Sequence, residues 1–435
     1  MIPKRIASVL INALKGGVVP RIGLPYITVG RTVEIEALLH DIAIIGEGGA
    51  AFRFIVGAYG SGKSFLIQTI RNYAMDRNFV VADADLSPER RLWGNKGQGL
   101  ATYRELVRNL ATKTRPEGGA LALILDRWIS SVQSEIVAQG IQSEDARFSE
   151  SVSQRIATVV NELCDMVHGF EFAKLLSQYY RSSMQGDEDT KRNVLRWFRG
   201  EYTSKAEAKS TLGVTLIIND DNWYDCIKLL ALFLKRAGYA GMLILMDELV
   251  NIWKIPHAIT RQYNYEKILA MYNDTLQGKA QHLGILMGAT PQCVEDRRRG
   301  VFSYEALRSR LEEGRFGKTG IHDILAPIIR LEPLSREEML ILVEKLAGIH
   351  ANLFDYTQVM TEDDLASFIQ IESARVGADA HITPREIIRD FIELLNIAHQ
   401  NPKISAADIL SSENFTHAKP IDLDESAEPF AEFDI

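Results

Sequence analysis

The sequence predicts an α/β protein with a parallel, doubly wound sheet, a long helical insertion and a small group of helices towards its C-terminus. Residues 52–56, which are apolar except for Arg53, form a strand pattern that runs into a glycine-rich turn, and residues 64–76 then show helical spacing. A second strand pattern follows at 79–83. Further strand patterns occur at 242–246, 283–287 and 326–331. This strand–loop–helix–strand order is typical of parallel strands whose connecting helices cover both faces of a sheet.

Helical patterns divide the chain into three predicted parts. Residues 1–333 form the sheet domain, whose segment at about 88–236 has helical spacing and is predicted as an insertion. Residues 334–400 are predicted as a helical lid and residues 401–435 as an extension. The extension ends in an acidic segment that we expect to be solvated and disordered, a docking tail being the alternative. Within insertion and lid, the helical patterns lie at 103–112, 121–137, 157–180, 191–198, 335–347, 362–374 and 383–399.

Composition excludes several classes of protein. The chain has 435 residues, of which 46% are hydrophobic and 24% charged, so it is neither collagenous nor wholly disordered. Its net charge of −8 excludes a broadly basic surface, and any nucleic-acid contact must come from a local patch. Three cysteines without a CxxC pair, and no uninterrupted apolar segment, favour a cytoplasmic protein.

A phosphate loop follows the first strand pattern. The residues Gly57, Ala58, Tyr59, Gly60, Ser61, Gly62, Lys63 and Ser64 match GxxxxGK[ST], and Phe65 continues into the helix. Glycines let the backbone wrap so that successive N–H groups face phosphate oxygens. Lys63 supplies a charge for the β- and γ-phosphates, and the Ser64 hydroxyl is a ligand for Mg²⁺. The sequence therefore predicts an ATP site that uses Mg²⁺, with the helix dipole favouring the anion.

Two carboxylates follow the strand pattern at 242–246. Asp247 is placed to hold Mg²⁺, and Glu248 is placed to polarise the attacking water as a general base. After the next strand, the Thr290 hydroxyl is a candidate for orienting that water. The alternative for Thr290 is an ordinary Thr–Pro turn after a strand.

The residues around these motifs resemble the AAA+ superclass of ATPases, and within it the replication-initiator-like group. The segments that carry this resemblance are Val29–Glu34, Ala306–Leu311 and Thr383–Arg385. The first resembles the GRxxE segment that frames adenine, so the resemblance implies nucleotide contacts from Gly30 and Arg31. The second and third resemble the arginine-finger segment and the second sensor of the lid, which implies roles for Arg310 and Arg385.

A wider set of motifs is similar to the BrxD-type ATP-binding proteins of bacteriophage-exclusion (BREX) and related bacterial defence loci. These motifs are Gly17–Pro20, Ala84–Ser87, Tyr103–Leu106 and Gly288–Tyr304. The resemblance, over about residues 6–400, implies a homo-oligomeric AAA+ ATPase in antiviral defence that acts on DNA or on a DNA-associated partner such as a helicase. In contrast to the initiator group, few residues follow His399, so we expect no winged-helix domain after the lid.

The arginine-rich segments leave alternatives open. Arg308 and Arg315 compete with Arg310 for the finger role. The resemblance favours Arg310, Arg308 is the runner-up, and an internal ion pair is the alternative for either of these two. The loop arginines Arg297, Arg298 and Arg299 are candidates for phosphate-backbone contact, the alternative being local ion pairs with neighbouring carboxylates.

Two other function classes are compatible with the motifs. One is an ATP-dependent signalling switch with little turnover. The presence of Glu248 and of a finger candidate favours an active hydrolase over this switch. The other is a DNA-binding scaffold regulated by nucleotide, which the negative net charge disfavours.

Overall fold

The computed structural model describes residues 2–312, 323, 325–358, 360–376 and 383–410. The chain divides into two compact units. We call residues 33–58 and 66–331 the sheet unit, and residues 1–32, 59–65 and 332 onward the lid unit. Arg315 and the acidic segment 422–435 lie outside the described residues.

The sheet unit contains five parallel strands. They are β1 (Ala50–Val56), β2 (Val80–Asp85), β3 (Met242–Asp247), β4 (Leu283–Ala289) and β5 (Ile328–Arg330). Their order is β2–β3–β4–β1–β5, and every described pairing is parallel. This architecture confirms the predicted α/β class with a parallel sheet, although β1 and β2 extend beyond the predicted strand patterns.

Eighteen α-helices occur in the described part of the chain. They are α1 (Lys4–Lys15), α2 (Thr32–Gly46), α3 (Lys63–Asp76), α4 (Gln98–Arg108), α5 (Leu121–Ala138), α6 (Phe148–Leu163), α7 (Gly169–Gln185), α8 (Glu188–Phe198), α9 (Lys205–Leu212), α10 (Trp223–Arg236), α11 (Val250–Trp253), α12 (Ala258–Leu276), α13 (Pro291–Glu295), α14 (Glu305–Leu311), α15 (Arg336–Phe354), α16 (Glu362–Val376), α17 (Pro384–Gln400) and α18 (Ala406–Leu410). Short 3₁₀ helices occur at Leu24–Tyr26 and Val301–Ser303. None of these helices combines the length and apolar composition that crossing a bilayer requires.

Two helical patterns of the insertion differ from prediction. The pattern at 157–180 is interrupted between α6 and α7, where His168 has a φ of 65° and a Cβ on Gly169 would overlap the carbonyl oxygen of Leu163. The pattern at 103–112 ends early, because Ala111 instead forms a bridge with Val81 in the middle of β2. Local backbone requirements therefore override helical spacing at both places.

Helices cover both faces of the sheet. Val80, Ala82 and Ala84 belong to a large core that includes the helices of the insertion, whereas Val81 belongs to a second core formed with α2 and α3. The alternation follows from the two-residue period of a strand. The insertion is thus packed on one sheet face and shares its core.

Two buried ion pairs attach helices to strands in the sheet unit. Arg53 on β1 donates to both carboxylate oxygens of Asp41 on α2, each at 2.7 Å. Arg71 on α3 is fully buried, lies 3.3 Å from the Asp83 carboxylate of β2 and donates to the Pro116 carbonyl at 2.6 Å. Because a buried charge is costly without its partner, each pair restricts how its helix can sit on the sheet.

The lid unit includes the N-terminal helix. The amphipathic helix α1 packs against α15 and α17, and buries Ala7, Leu10, Ile11 and Leu14. Asn352 on α15 donates to the Ile2 carbonyl at 2.9 Å. Residues 1–32 therefore lie in the same compact unit as the lid helices, which differs from the predicted boundary at 333.

Candidate phosphate-binding site

The carboxyl ends of β1, β3 and β4 are neighbours at one edge of the sheet. Gly57, the first residue of the phosphate loop, is buried there and donates its N–H to the Ala289 carbonyl at the end of β4, at 3.1 Å. Asp247 ends β3, and Thr290 follows β4. Parallel pairing thus brings the start of the phosphate loop, Asp247 and Thr290 to the same edge.

Asp247 is tightly packed against the backbone of the neighbouring strand. A Cβ on Gly288 would overlap the Oδ1 atom of Asp247, so glycine is the residue that leaves room for this carboxylate. The same Oδ1 accepts the backbone N–H of Glu248 at 2.8 Å. The carbonyl of Asp247 accepts the N–H of Leu86 at 3.0 Å. These contacts restrict the orientation of the carboxylate.

Glu248 has an unusual backbone conformation. Its φ is 60°, in the left-handed region that costs a non-glycine residue free energy. Hydrogen bonds on both sides hold it there, because its own N–H bonds to Asp247 and the N–H of Leu249 bonds to the Gly288 carbonyl at 3.1 Å. The side chain of Glu248 is exposed to solvent. A strained, constrained position with an exposed carboxylate is typical of a functional residue.

Asp85 is a third carboxylate at this edge, which the sequence analysis did not single out. It ends β2 in register with Asp247 on β3. Desolvation at the sheet edge and the charge of Asp247 raise the pKa of Asp85 above its ordinary value. The predicted strand ended at Asp83, and two more residues of strand place Asp85 beside Asp247. The sequence signal that identifies Asp85 as a candidate is its position at the end of a strand.

Thr290 caps a short helix. Its hydroxyl accepts the N–H of Cys293 at 3.3 Å, and Pro291 occupies the first helical position of α13. Ser, Thr, Asp and Asn are the preferred residues at such a cap. The turn that was the alternative for Thr290 is therefore present, and a role in orienting water would add to this structural one.

Residues 59–64 of the phosphate loop lie in the lid unit. Gly60 and Gly62 have φ values of 77° and 97°, which glycine tolerates. The Ser61 side chain is buried, and its Oγ makes no hydrogen bond within the described residues. A Cβ on Gly62 would meet no atom within 4 Å. A hydroxyl left without a partner beside open space at a helix N-terminus fits the binding of phosphate oxygens.

The first residues of α3 are the loop's candidate ligands. Lys63 begins the helix and is half-buried, whereas the Ser64 side chain is exposed. Phe65 packs against the core of the lid unit and so anchors this end of the loop. Ser64 and Asp247 carry oxygen atoms, the ligand type that Mg²⁺ prefers. In the described chain, no cluster of three or more His, Cys, Asp or Glu residues could hold a metal ion by itself.

Arg31 braces the phosphate loop. Its guanidinium is buried and donates to the Ser61 carbonyl at 3.2 Å and to the Glu332 carbonyl at 2.8 Å. Gly30 precedes it with a φ of 63°, and a Cβ there would overlap the Glu338 carboxylate. The GR segment thus joins the phosphate loop to the start of the lid helices.

Arg385 also contacts the phosphate loop. It lies in the first turn of α17, and its Nη1 donates to the hydroxyl of Tyr59 at 2.6 Å. The guanidinium carbon lies 5.3 Å from the centroid of the Tyr59 ring, within cation–π range. The residue that resembles a second sensor is therefore adjacent to the loop within the lid unit.

Arg310 forms a hydrogen bond with the backbone of its own helix. It is exposed on α14, and its Nη1 donates to the Ala306 carbonyl at 2.7 Å. It acts electrostatically on Tyr272, whose pKa is raised by burial, and the Tyr272 ring contacts Phe52 in the first half of β1. Arg308 forms an ion pair with Glu305 on the same helix.

Two of the three arginines in the basic loop interact with other side chains of the same chain. Arg297 pairs with Glu312 at 2.9 Å, and the Arg299 guanidinium lies 5.0 Å from the Trp253 ring centroid. The Arg298 side chain is exposed. The alternative of local ion pairs thus describes Arg297, and Arg298 is the member of the trio most open to an external phosphate.

The sheet and the loop define the class of this protein. A parallel sheet with GxxxxGK[ST] between β1 and α3, and with carboxylates at the end of β3, is the arrangement of a phosphate-loop nucleotide-binding protein. The model of the family "BREX system ATP-binding protein BrxC/D" matches residues 2–414. The chain belongs to this family.

Comparison with solved structures finds a distant similarity. The crystal structure of domain III of the replication initiation protein DnaA from Thermotoga maritima is 13% identical, with a TM-score of 0.37. The match covers 91% of this chain and 97% of that chain. No curated protein sequence matches the chain significantly.

We expect Gly288→Ala to displace the Asp247 carboxylate, because the added Cβ would overlap its Oδ1. Overpacking of this kind typically costs about 1–3 kcal/mol of unfolding free energy. Chemical denaturation followed by circular dichroism measures the loss. Gly46→Ala is the matched control, since the nearest atom to its Cβ would lie at 3.9 Å. Equal stabilities of both variants and the wild type would contradict the packing argument.

Proposed function

We propose that this protein hydrolyses Mg-ATP as a homo-oligomer and uses the cycle to act on DNA or on a DNA-associated partner in antiviral defence. The observation that carries the proposal is the complete phosphate loop between β1 and α3, together with Asp247 and Glu248 at the carboxyl edge of the same sheet. Family membership supports the ATP-binding part. The hydrolytic part rests on the chemistry of the carboxylates.

Each residue of the proposed site has a separate role. Backbone N–H groups of the loop and Lys63 bind the phosphates, while Ser64 and Asp247 supply oxygen ligands for Mg²⁺. When bound, Mg²⁺ neutralises charge on the phosphate oxygens. Glu248 accepts a proton from the attacking water, for which its exposed carboxylate is suited, and the Thr290 hydroxyl orients that water.

Assembly is part of the proposal because an arginine finger acts on the phosphate loop of a neighbouring subunit. Arg310 is exposed on α14 and lies near Tyr272, which packs on the first half of β1 rather than on its carboxyl end. From that position, Arg310 is better placed to reach the phosphate loop of a neighbouring subunit than the phosphate loop of its own chain. Its positive charge would stabilise the transferring phosphoryl group there.

Action on DNA is the least supported part of the proposal. The net charge is −8, and Arg297 and Arg299 have partners within the chain. An exposed Arg298 and the defence family support it. Phosphate release measured with and without duplex and single-stranded DNA tests whether DNA is coupled to turnover.

A signalling switch with little turnover is the second candidate. The carboxylate of Glu248 is constrained by its backbone geometry, which favours hydrolysis over this alternative. The variant of Glu248 described below discriminates between the two.

Lys63→Ala removes the charge that faces the β- and γ-phosphates. We expect ATP affinity to fall about ten- to a hundredfold, the typical value of a hydrogen bond to a charged group, and turnover to be lost. Isothermal titration calorimetry measures the affinity, and the rise in melting temperature with ATP reports the same binding by linkage. Lys279→Ala, which changes an exposed lysine before β4, is the control. Equal ATP affinity in Lys63→Ala and the control would contradict the assignment.

Glu248→Gln separates binding from hydrolysis. The amide preserves shape and leaves Asp247 in place, so ATP should bind with nearly unchanged affinity. Without the general base, the rate of phosphate release should fall by about 10²-fold or more. Stopped-flow or steady-state phosphate detection measures the rate. Wild-type turnover in this variant would assign water activation to another group and favour the switch.

Arg310→Ala tests the shared site. The variant should retain ATP affinity, because its phosphate loop is intact, yet lose most turnover. Mixing it with Lys63→Ala should restore part of the phosphate release, since some mixed assemblies contain complete sites. Arg308→Ala, which removes the partner of Glu305, is the control for a local ion pair. No recovery, under conditions where labelled subunits exchange, would give Arg310 a structural role.

A further inference from the structure

Tyr59 lies in the phosphate loop and contacts a charged group of the lid helices. Its hydroxyl accepts a hydrogen bond from Nη1 of Arg385 at 2.6 Å, and the guanidinium carbon lies 5.3 Å from the centre of its ring. Hydrogen bonds from an ionised donor are shorter and stronger than neutral ones. Tyr59 thus holds Arg385 by two contacts of different kinds.

The backbone of Gly17 also lies close to the Arg385 guanidinium. A Cβ on Gly17 would lie 3.1 Å from Nη2 and 3.2 Å from Nε of Arg385, and the φ of Gly17 is 68°. Next to Tyr59, a Cβ on Gly60 would lie 2.8 Å from the hydroxyl oxygen of Thr383, the cap of α17. Arg385 is exposed to solvent, and its guanidinium lies near both Gly17 and Tyr59 while the loop contacts the first turn of its helix.

We propose that Tyr59 is a positioning residue, which holds the Arg385 guanidinium in the orientation that recognises the terminal phosphate of ATP. This inference rests on the proposed function. A free arginine side chain loses much rotamer entropy when it binds a phosphate, and an arginine already held loses less. Because ADP lacks the terminal phosphate, the contact between Tyr59 and Arg385 raises the affinity for ATP more than that for ADP.

Tyr59→Phe tests the inference with little risk to the fold, since it keeps the ring and removes only the hydroxyl. We expect ATP affinity to fall about two- to tenfold, the typical effect of one hydrogen bond, and ADP affinity to fall less. Calorimetry with both nucleotides, in Mg²⁺, measures the ratio. Tyr26→Phe is the control, because Tyr26 lies in the same unit and its side chain is also exposed, 42% against 58% for Tyr59.

A double-mutant cycle shows whether Tyr59 acts through Arg385. In the Arg385→Ala background, Tyr59→Phe should leave ATP affinity unchanged, because there is no guanidinium left to hold. An equal loss in both backgrounds would mean that Tyr59 contacts the nucleotide directly, and no loss in either would remove its role. Each result overturns the inference.

The positioning role of Tyr59 and the proposed function can fail separately. If Lys63→Ala abolishes ATP binding and Tyr59→Phe has no effect, the proposed function stands and only the positioning role fails. If the wild type binds neither nucleotide, the proposed function and this inference fail together.

Discussion

The contact between the Asp247 carboxylate and the backbone of Gly288 constrains the functional edge of the sheet. The Asp247 carboxylate occupies the space that a side chain at residue 288 would fill, so its packing against β4 restricts its orientation. That orientation receives the N–H of Glu248 and turns the chain into the left-handed region. Glu248 is therefore directed by a packing contact on the neighbouring strand, and the strain at its backbone is a consequence of it.

Much of the fold and part of the site could be predicted because they depend on local signals. The strand and helix around Gly57–Ser64 have strong periodicity, and the phosphate loop is set by residue types at fixed spacing. The positions of Asp247 and Glu248 could be predicted because both residues come directly after one strand pattern. Family membership and the parallel sheet confirm the family and fold-class predictions.

What escaped prediction depends on contacts between distant residues. Asp85 became notable only when register placed it beside Asp247. Arg31 donates hydrogen bonds to the carbonyl groups of Ser61 and Glu332, both far along the chain, which no local pattern can reveal. The placement of α1 with the lid helices likewise depends on an apolar face that matches α15 and α17. Periodicity predicts that such a face exists and leaves its partner undetermined.

The position of α1 in the lid unit has a consequence for synthesis on the ribosome. Its partners in α15 and α17 begin at residues 336 and 384, so α1 is made long before the helices that cover its apolar face. At about 5–20 residues per second, translation takes some tens of seconds to reach them. During that time the apolar face of α1 has no native partner, whereas the strands and the insertion emerge earlier and can begin to pack. The apolar face of α1 is thus exposed in the nascent chain until α15 and α17 have been made.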